Sequence, residues 1–550
     1  MPPNRVVLEH IAVLPFHETD YRNHSPIDDK SGFDRLIGLS SLVIELDGRW
    51  LPNEAPEGEA FARHARGRAY RAQARAMLQR SDLAMAVWDP AEPGRPGGTA
   101  ETVHYALEMG MTVLALCPSA GPDGLGLHAL RTFADLDALQ SWYTDGTTIP
   151  VSEQPGHVEA LVRDLLPNVP PPVEVPPHSR LENVWRDFEK KFDGPIAATA
   201  ARAAVPITGS PFYALRQHAR ELNARYSGRY RGGFLNNFRF ATLATSLAAA
   251  SLAAMVLGYK FLHSDWPVGL KVFLLLLACG KLALVVTIWR VIEHARHNGW
   301  NERAVNARYL AENLRLLFWL PAMGKLRTPQ RSGEHHSDQQ LGRRTAEALL
   351  RAAVRAAPLE TGLAVVPGAG PRRARIEPGR ALDDLCSQWI VEQHAYHLRN
   401  ADRLGRMAHS LSHRAEVLNM VVIGCVALDI ALLIAGIAFH NLPIPLEVLK
   451  VLLIASAAAL PAAVAATYGV REQSEAQRLS GRSQQLAESL AAMKTDVDQL
   501  RARMRQLGAD GADPGAWTLE CLDRAERCAR LVAEDVAEWS VLYGKPMPAI

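Results

Sequence analysis

The residues best suited to chemistry lie in Asp82-Leu-Ala-Met-Ala-Val-Trp-Asp89 and the Pro96-Gly-Gly-Thr-Ala-Glu101 that follows. An apolar strand ends at Asp89, and Gly97-Gly98 lead into a helix. Glycines let a ligand approach the backbone closely, and a helix start offers free N–H groups to a phosphate. Thr99 can cap that helix and also bond a ligand oxygen. Asp89 or Glu101 is placed to take a ribose hydroxyl, as happens at the carboxyl ends of strands in open α/β sheets. A plain Gly-rich turn with a good N-cap would use the same residues, so the motif leaves both readings open. A second pair, Lys281 and Asp429, sits in the middle of two apolar runs. Charges inside a bilayer are costly. The pair is expected either to join two hairpins as a gating ion pair, to face a pore, or to be architectural. The six cysteines form no CxxC pair, and His335-His336 has no further ligands around it, so neither a metal nor a bound cofactor is expected.

Positioning these residues takes two unlike parts. Residues 1–166 alternate short apolar runs with helical patterns: strands at 6–15, 41–45, 82–88 and 112–117, and helices at 60–79 and 99–109. That order predicts an α/β domain with a parallel sheet. Residues 167–177 carry six prolines and mark a stiff boundary, so 167–212 is read as a linker with a short helix. The remainder predicts an all-α membrane domain. Spans are expected at 240–262 and 268–292 within a first unit, 213–320, and at 417–439 and 446–470 within a second, 381–507. Each is long enough to cross about 30 Å of hydrocarbon. The segment 321–380 is expected as a flexible linker, and 516–550 as a C-terminal helix.

The two units are related by an internal repeat. Gln217-His218-Ala219 with Leu222 recurs as Gln393-His394-Ala395 with Leu398, an offset of 176. Leu310-Ala-Glu-Asn-Leu314 recurs as Leu486-Ala-Glu-Ser-Leu490, and Pro267 matches Pro443, at the same offset. Lys281 and Asp429 break the repeat, since their mates are Ala457 and Ala253. Arginines flank the spans on one side (Arg231 and Arg239, Arg290 and Arg296, Arg406 and Arg414, Arg471 and Arg478), while the short turns at 263–267 and 440–445 hold no Lys or Arg. The bias places both termini and the central segment in the cytoplasm of a multi-pass inner-membrane protein. With 60 basic and 58 acidic side chains, a net of +2, the chain lacks the footprint of a nucleic-acid binder.

The run from Ser81 to Leu116, with Leu14-Pro-Phe16, Tyr21 and Phe33-Asp-Arg-Leu36 upstream, resembles SLOG domains, the Rossmann-like nucleotide sensors related to LOG and DprA proteins. Those domains open with a further strand–helix unit bearing a Gly-rich loop, and this sequence is expected to begin after it. The duplicated hairpins resemble SLATT-type two-helix effector modules. The resemblance implies a nucleotide-derived signal as ligand, no direct nucleic-acid contact, homo-oligomeric assembly, and a pore or bilayer disruption in antiviral defence. Two alternatives stay open: a nucleotide or NAD N-glycosidase using Glu101 as its carboxylate, and a ligand-regulated ion channel or transporter.

Overall fold

The computed structural model describes residues 10–24, 27–53, 58–91, 94–118, 125–145, 174–193, 210–262, 267–326, 340–368, 370–439, 444–509 and 516–543. The expected turns at 263–266 and 440–443, much of the proline tract and His335-His336 lie outside them. The first part runs β1 (Ile11–Phe16), α1 (Glu18–His24), α2 (Lys30–Leu39), β2 (Leu42–Gly48), α3 (Glu59–Leu78), β3 (Ala84–Val87), α4 (Thr99–Glu108), β4 (Val113–Pro118), β5 (Leu125–Leu130) and α5 (Phe133–Asp145). Leu42, Val43 and Ile44 are all buried, the continuous apolar run of a strand covered on both faces. Helix α3 buries an alanine stripe (Ala62, Ala65, Ala69, Ala72, Ala76) at helical spacing, small enough for the backbone to lie close to its neighbours.

The second part is helical. It comprises α6 (Arg180–Glu189), α7 (Tyr213–Leu262), α8 (Val268–His297), α9 (Trp300–Leu316) and α10 (Gln340–Ala356). After two short strands, β6 (Ala364–Val366) and β7 (Arg372–Arg375), come α11 (Pro378–Asp384), α12 (Val391–Phe439), α13 (Ile444–Ser474), α14 (Ala476–Ala509) and α15 (Trp517–Tyr543). Four of these helices, α7, α8, α12 and α13, are long and apolar enough to cross a membrane. In the spans α8 packs on α7, α7 on α13, and α13 on α12, giving a row with α8 and α12 at its ends. The apolar windows of α8 and α12 are each 6% buried and those of α7 and α13 each 11%, as that order requires. Close approach of α7 and α13 needs Gly469, where a Cβ would run into the Phe238 ring.

Two expectations are corrected. The sheet is not one parallel array. β1, β2 and β7 are parallel with β6 antiparallel at the edge, and a separate sheet joins β3 and β4 in parallel with β5 antiparallel. The segment 321–380 is no mere linker, because it supplies α10 and two strands, β7 lying directly against β2. Strand β7 reads Arg372-Arg373-Ala374-Arg375, with only Ala374 buried, so it carries no apolar pattern to announce it. Its arginines are met by acids. Arg373 pairs with Glu18 (2.6 Å), Arg375 with Glu45 (2.8 Å) and Arg372 with Glu360 (2.9 Å). Glu45 on β2 is 2% exposed while Arg375 is 45% exposed, so the acid is the member that would be left buried and uncompensated if its arginines were lost.

The repeat is visible in the backbone. Helices α8 and α13 start at residues 268 and 444, and α9 and α14 at 300 and 476, both 176 apart. Each unit breaks at the same place, through a left-handed residue: Gly299 (φ 56°) and its mate Glu475 (φ 52°). For a residue with a Cβ that conformation costs about 1–2 kcal/mol. Glu475→Gly is expected to raise the unfolding free energy by about 1 kcal/mol, net of the exposed Arg478 partner at 3.2 Å. Thermal unfolding in detergent checks it, and a lower midpoint would mean the side-chain contacts outweigh the strain.

Candidate functional site

The start of α4 is built against α3. Gly97 has φ 75°, and a Cβ there would lie 2.7 Å from the Gly67 carbonyl oxygen and 2.7 Å from Tyr70 Cβ. Only glycine fits a positive φ under so close a helix. The Gly97 N–H donates to Glu101 Oε2 (2.7 Å), and Arg71 Nε donates to Glu101 Oε1 (2.6 Å). Both carboxylate oxygens of Glu101 therefore hold the loop. The N-cap of α4 is Gly98, which has no side chain to offer, and Thr99 is the first helical residue rather than the cap. Thr102 Oγ1 donates to the Gly98 carbonyl instead (3.0 Å). Among the described residues, the N–H groups of Thr99 and Ala100 meet no acceptor. These two donors, at the positive end of the helix, suit a phosphate oxygen.

Asp89 is held differently. Its Oδ1 accepts from the Ala91 N–H (2.9 Å), turning the chain just after β3. Its charge is felt by Cys117 and Tyr143, neither of which was singled out from the sequence. Burial first, and Asp89 besides, push the Cys117 thiol up to about 11 and the Tyr143 phenol up to about 12. Tyr143 donates to the Pro118 carbonyl at the end of β4. Cys117 is thus a protonated thiol at neutral pH and no nucleophile. The cysteine was legible as a strand-end residue, but α5, which brings Tyr143 to it, gave no strong pattern. Among the described residues no group of His, Cys, Asp or Glu is arranged to hold a metal ion.

The same part of the domain is tied to α15. On α3, Arg68 pairs with Glu520 (3.4 Å), Arg75 with Asp523, and Gln79 Nε2 donates to Glu526 (3.0 Å). On α4, the Tyr105 hydroxyl donates to Glu526, so the helix that begins at the Gly97-Gly98 loop touches α15 directly. Burial first, then the Glu526 charge, raise the Tyr105 phenol above its ordinary value. At the other end of α15, Thr518 gives Asp47 both its N–H (3.2 Å) and its hydroxyl (2.5 Å), and the Ala516 N–H donates to the Asp47 carbonyl (3.0 Å). The far side of α15 packs Trp517, Cys521, Leu522 and Cys528 into one core with Leu490, Val497 and Leu500 of α14.

Lys281 and Asp429 do not meet. They stand on α8 and α12, the two ends of the row, and among the described residues no ion pair joins them. Asp429 Oδ1 is buried with no hydrogen-bond partner among the described residues.

Burial raises the Asp47 carboxyl above the usual carboxylate range, despite the Thr518 donors that favour its ionised form. A raised folded-state value gives stability that is present below the unfolded value and lost as pH rises through the folded one. Asp47→Asn keeps an acceptor for Thr518 without the buried charge. It is expected to match the parent near pH 4 and to gain on it as pH rises to 8. Asp47→Ala, which orphans both donors, should lose about 1–3 kcal/mol. Melting midpoints across a pH series check both. Comparison with family models, curated proteins and solved structures finds no match for this chain.

Proposed function

We propose that this chain is a signal-coupled membrane effector. Its α/β domain takes a phosphate-bearing, nucleotide-type ligand at the start of α4, and the bound state is passed to the two hairpins, which assemble and permeabilise the membrane. One observation carries the reading: the α/β domain shares a strand and a helix junction with the membrane repeats. Strand β7, from the segment between the repeats, is part of its sheet, and α15, which follows the second repeat, is clamped to α3, α4 and β2. A shift of α4 therefore acts on Glu526, then on α15, and then on the α14 core. The arginines beside the spans support a cytoplasmic position for this domain, by the positive-inside rule. The SLOG and SLATT resemblance supplies the antiviral setting. Binding is favoured over N-glycosidase chemistry because Glu101 already has both oxygens engaged.

Dye release from liposomes holding the full chain, with a panel of nucleotides added, tests this. Gly98→Arg fills the helix start and should weaken ligand binding at least 10-fold with the fold intact. Tyr105→Phe removes the link to Glu526 and should leave binding alone while lowering release. Release unaffected by either change, or by any nucleotide, defeats the proposal.

The repeat supports a particular mode of assembly. Inside one chain the entry helix α7 packs on the exit helix α13. The equivalent faces, on the entry helix α12 and the exit helix α8, are the unpaired ends of the row. A second copy can place its α8 on α12 as α13 sits on α7, a head-to-tail contact that closes into a ring or propagates. The internal junction carries Ala253 and Ala457 at the equivalent positions, whereas the free ends carry Asp429 and Lys281. Opposite charges at matched depth in hydrocarbon would then pair between copies, which relieves the cost of each. In a background with Cys279→Ser and Cys425→Ser, Lys281→Cys on one tagged copy should form a disulfide with Asp429→Cys on another. Charge reversal at either site should reduce assembly, and the double reversal should restore it. Cross-linking of Lys281→Cys to itself alone would mean a symmetric α8 contact and would overturn this arrangement.

A further inference from the structure

Between the start of α6 and the last turns of α8 runs an open groove of about 700 Å³. Its depth follows from the length of α8, which has 30 residues and is about 45 Å long. Crossing about 30 Å of hydrocarbon uses roughly the first 20 of them. Trp289 and Arg290 come just after, at the level of lipid headgroups, and both line the groove. Trp289 is 63% exposed, and a Trp beside an Arg at that depth is the composition of an interfacial anchor.

Below them the α8 wall turns polar. Glu293, His294 and His297 follow Arg290 at three, four and seven residues, so all four share one helix face. His294 is held in place, its ring edge-on to Trp300 (5.4 Å) and its Nδ1 3.2 Å from Asn298 Nδ2. On the opposite wall Arg229 is occupied, its Nε donating to Glu182 Oε1 (3.2 Å) and its Nη2 to the Pro177 carbonyl. Arg290 and Glu293 differ from these. Both are exposed, and neither side chain has an ionic or hydrogen-bonding partner among the described residues, not even the other.

One unmet cation and one unmet carboxylate, a single turn apart, are matched by a ligand that carries both signs. A purely anionic headgroup would meet Arg290 and be repelled by Glu293. A phosphate followed closely by a primary ammonium satisfies both, because the ammonium N–H groups donate to the carboxylate, which a quaternary ammonium cannot do. Toward the span the groove is apolar, with Trp289 and Val291 on one wall and Leu181 on the other, a surface for the glycerol and the first acyl carbons. Its volume falls within the roughly 300–1,000 Å³ of sites for organic ligands.

We infer that this groove binds a phospholipid of the phosphatidylethanolamine class, its phosphate on Arg290 and its ammonium on Glu293. The inference does not rest on the nucleotide reading of α4: the site is on other helices, and either can fail alone. Native mass spectrometry of the full chain in detergent, with phosphatidylethanolamine, phosphatidylcholine and phosphatidylglycerol titrated in turn, measures the lipid retained. The expected result is saturable retention of phosphatidylethanolamine, about 5-fold tighter than either of the others. Arg290→Gln should lose most of that advantage, and Arg290→Lys, which keeps the charge, should hold it. Glu293→Gln should bring phosphatidylglycerol up to the level of phosphatidylethanolamine, while Arg296→Gln, exposed on the same helix but off the groove, should keep the parent pattern. Phosphatidylcholine or phosphatidylglycerol held by the parent as tightly as phosphatidylethanolamine, or a parent-like pattern in either Arg290→Gln or Glu293→Gln, overturns the inference.

Discussion

Two acids on one strand hold this molecule together. Glu45 and Asp47, alternate residues of β2, each reach a segment hundreds of residues away. Glu45 draws in β7, which precedes the second repeat, through Arg375 and Arg373 (2.8 and 3.7 Å). Asp47 draws in the start of α15, which follows that repeat, through Thr518. The second membrane unit is thus fastened to the sheet at both of its ends by neighbouring side chains on one strand. Buried carboxylates are poor stabilisers by themselves and costly when a partner is lost. Their use here fixes where the chain returns to the sheet, which apolar contacts alone would specify less sharply.

The membrane units show the opposite economy of means. Each follows one plan, a long entry helix, an exit helix, a left-handed break and a further helix, and the break persists even where Glu475 stands in place of a glycine. What differs is the company each keeps. The first unit carries α6 across Gly228 and Gly232 of α7, where a Cβ at Gly232 would meet the Leu181 carbonyl. The second carries α11, and α15 packs against both α11 and the first unit's α9. Duplication supplied two equal hairpins, and the added segments made them unequal, one bound closely to α6 and the other to the sheet.

Much of the local structure was legible in the sequence. The strands at β2, β3 and β4 and the presence of four long apolar helices follow from apolar runs and their period, which depend on neighbours a few residues away. Strand β7 was not legible, because an Arg-Arg-Ala-Arg string becomes a strand only when distant acids neutralise it. The site was read in part. Gly97 is expected from the sequence to let a ligand approach the backbone, and within the chain the group that approaches it is α3, at Gly67. Thr99 looked like a cap because its residue type is a common one, yet the chain enters the helix one residue earlier. Glu101 looked available because sequence gives no view of Arg71 folding across from α3. Lys281 and Asp429 were matched by depth, but depth does not say which helices stand side by side.

The strengths of the two faces of α15 decide what such a connection can do. Toward α14 and the end of α9 it shares a deeply buried apolar core, with Arg524 pairing Asp496 of α14 at its edge (3.2 Å). Toward α3 and α4 it is a set of part-buried ion pairs and hydrogen bonds. Pairs of that kind are worth about 0.2–1 kcal/mol each when solvent reaches them. A ligand that binds two arrangements unequally by a few kcal/mol can shift a contact of that strength, whereas it could not part an apolar core. On the proposed reading, the plane that responds to ligand is the polar seam between α4, α3 and α15. The buried acids of β2 beside it keep the two parts from separating when the seam rearranges.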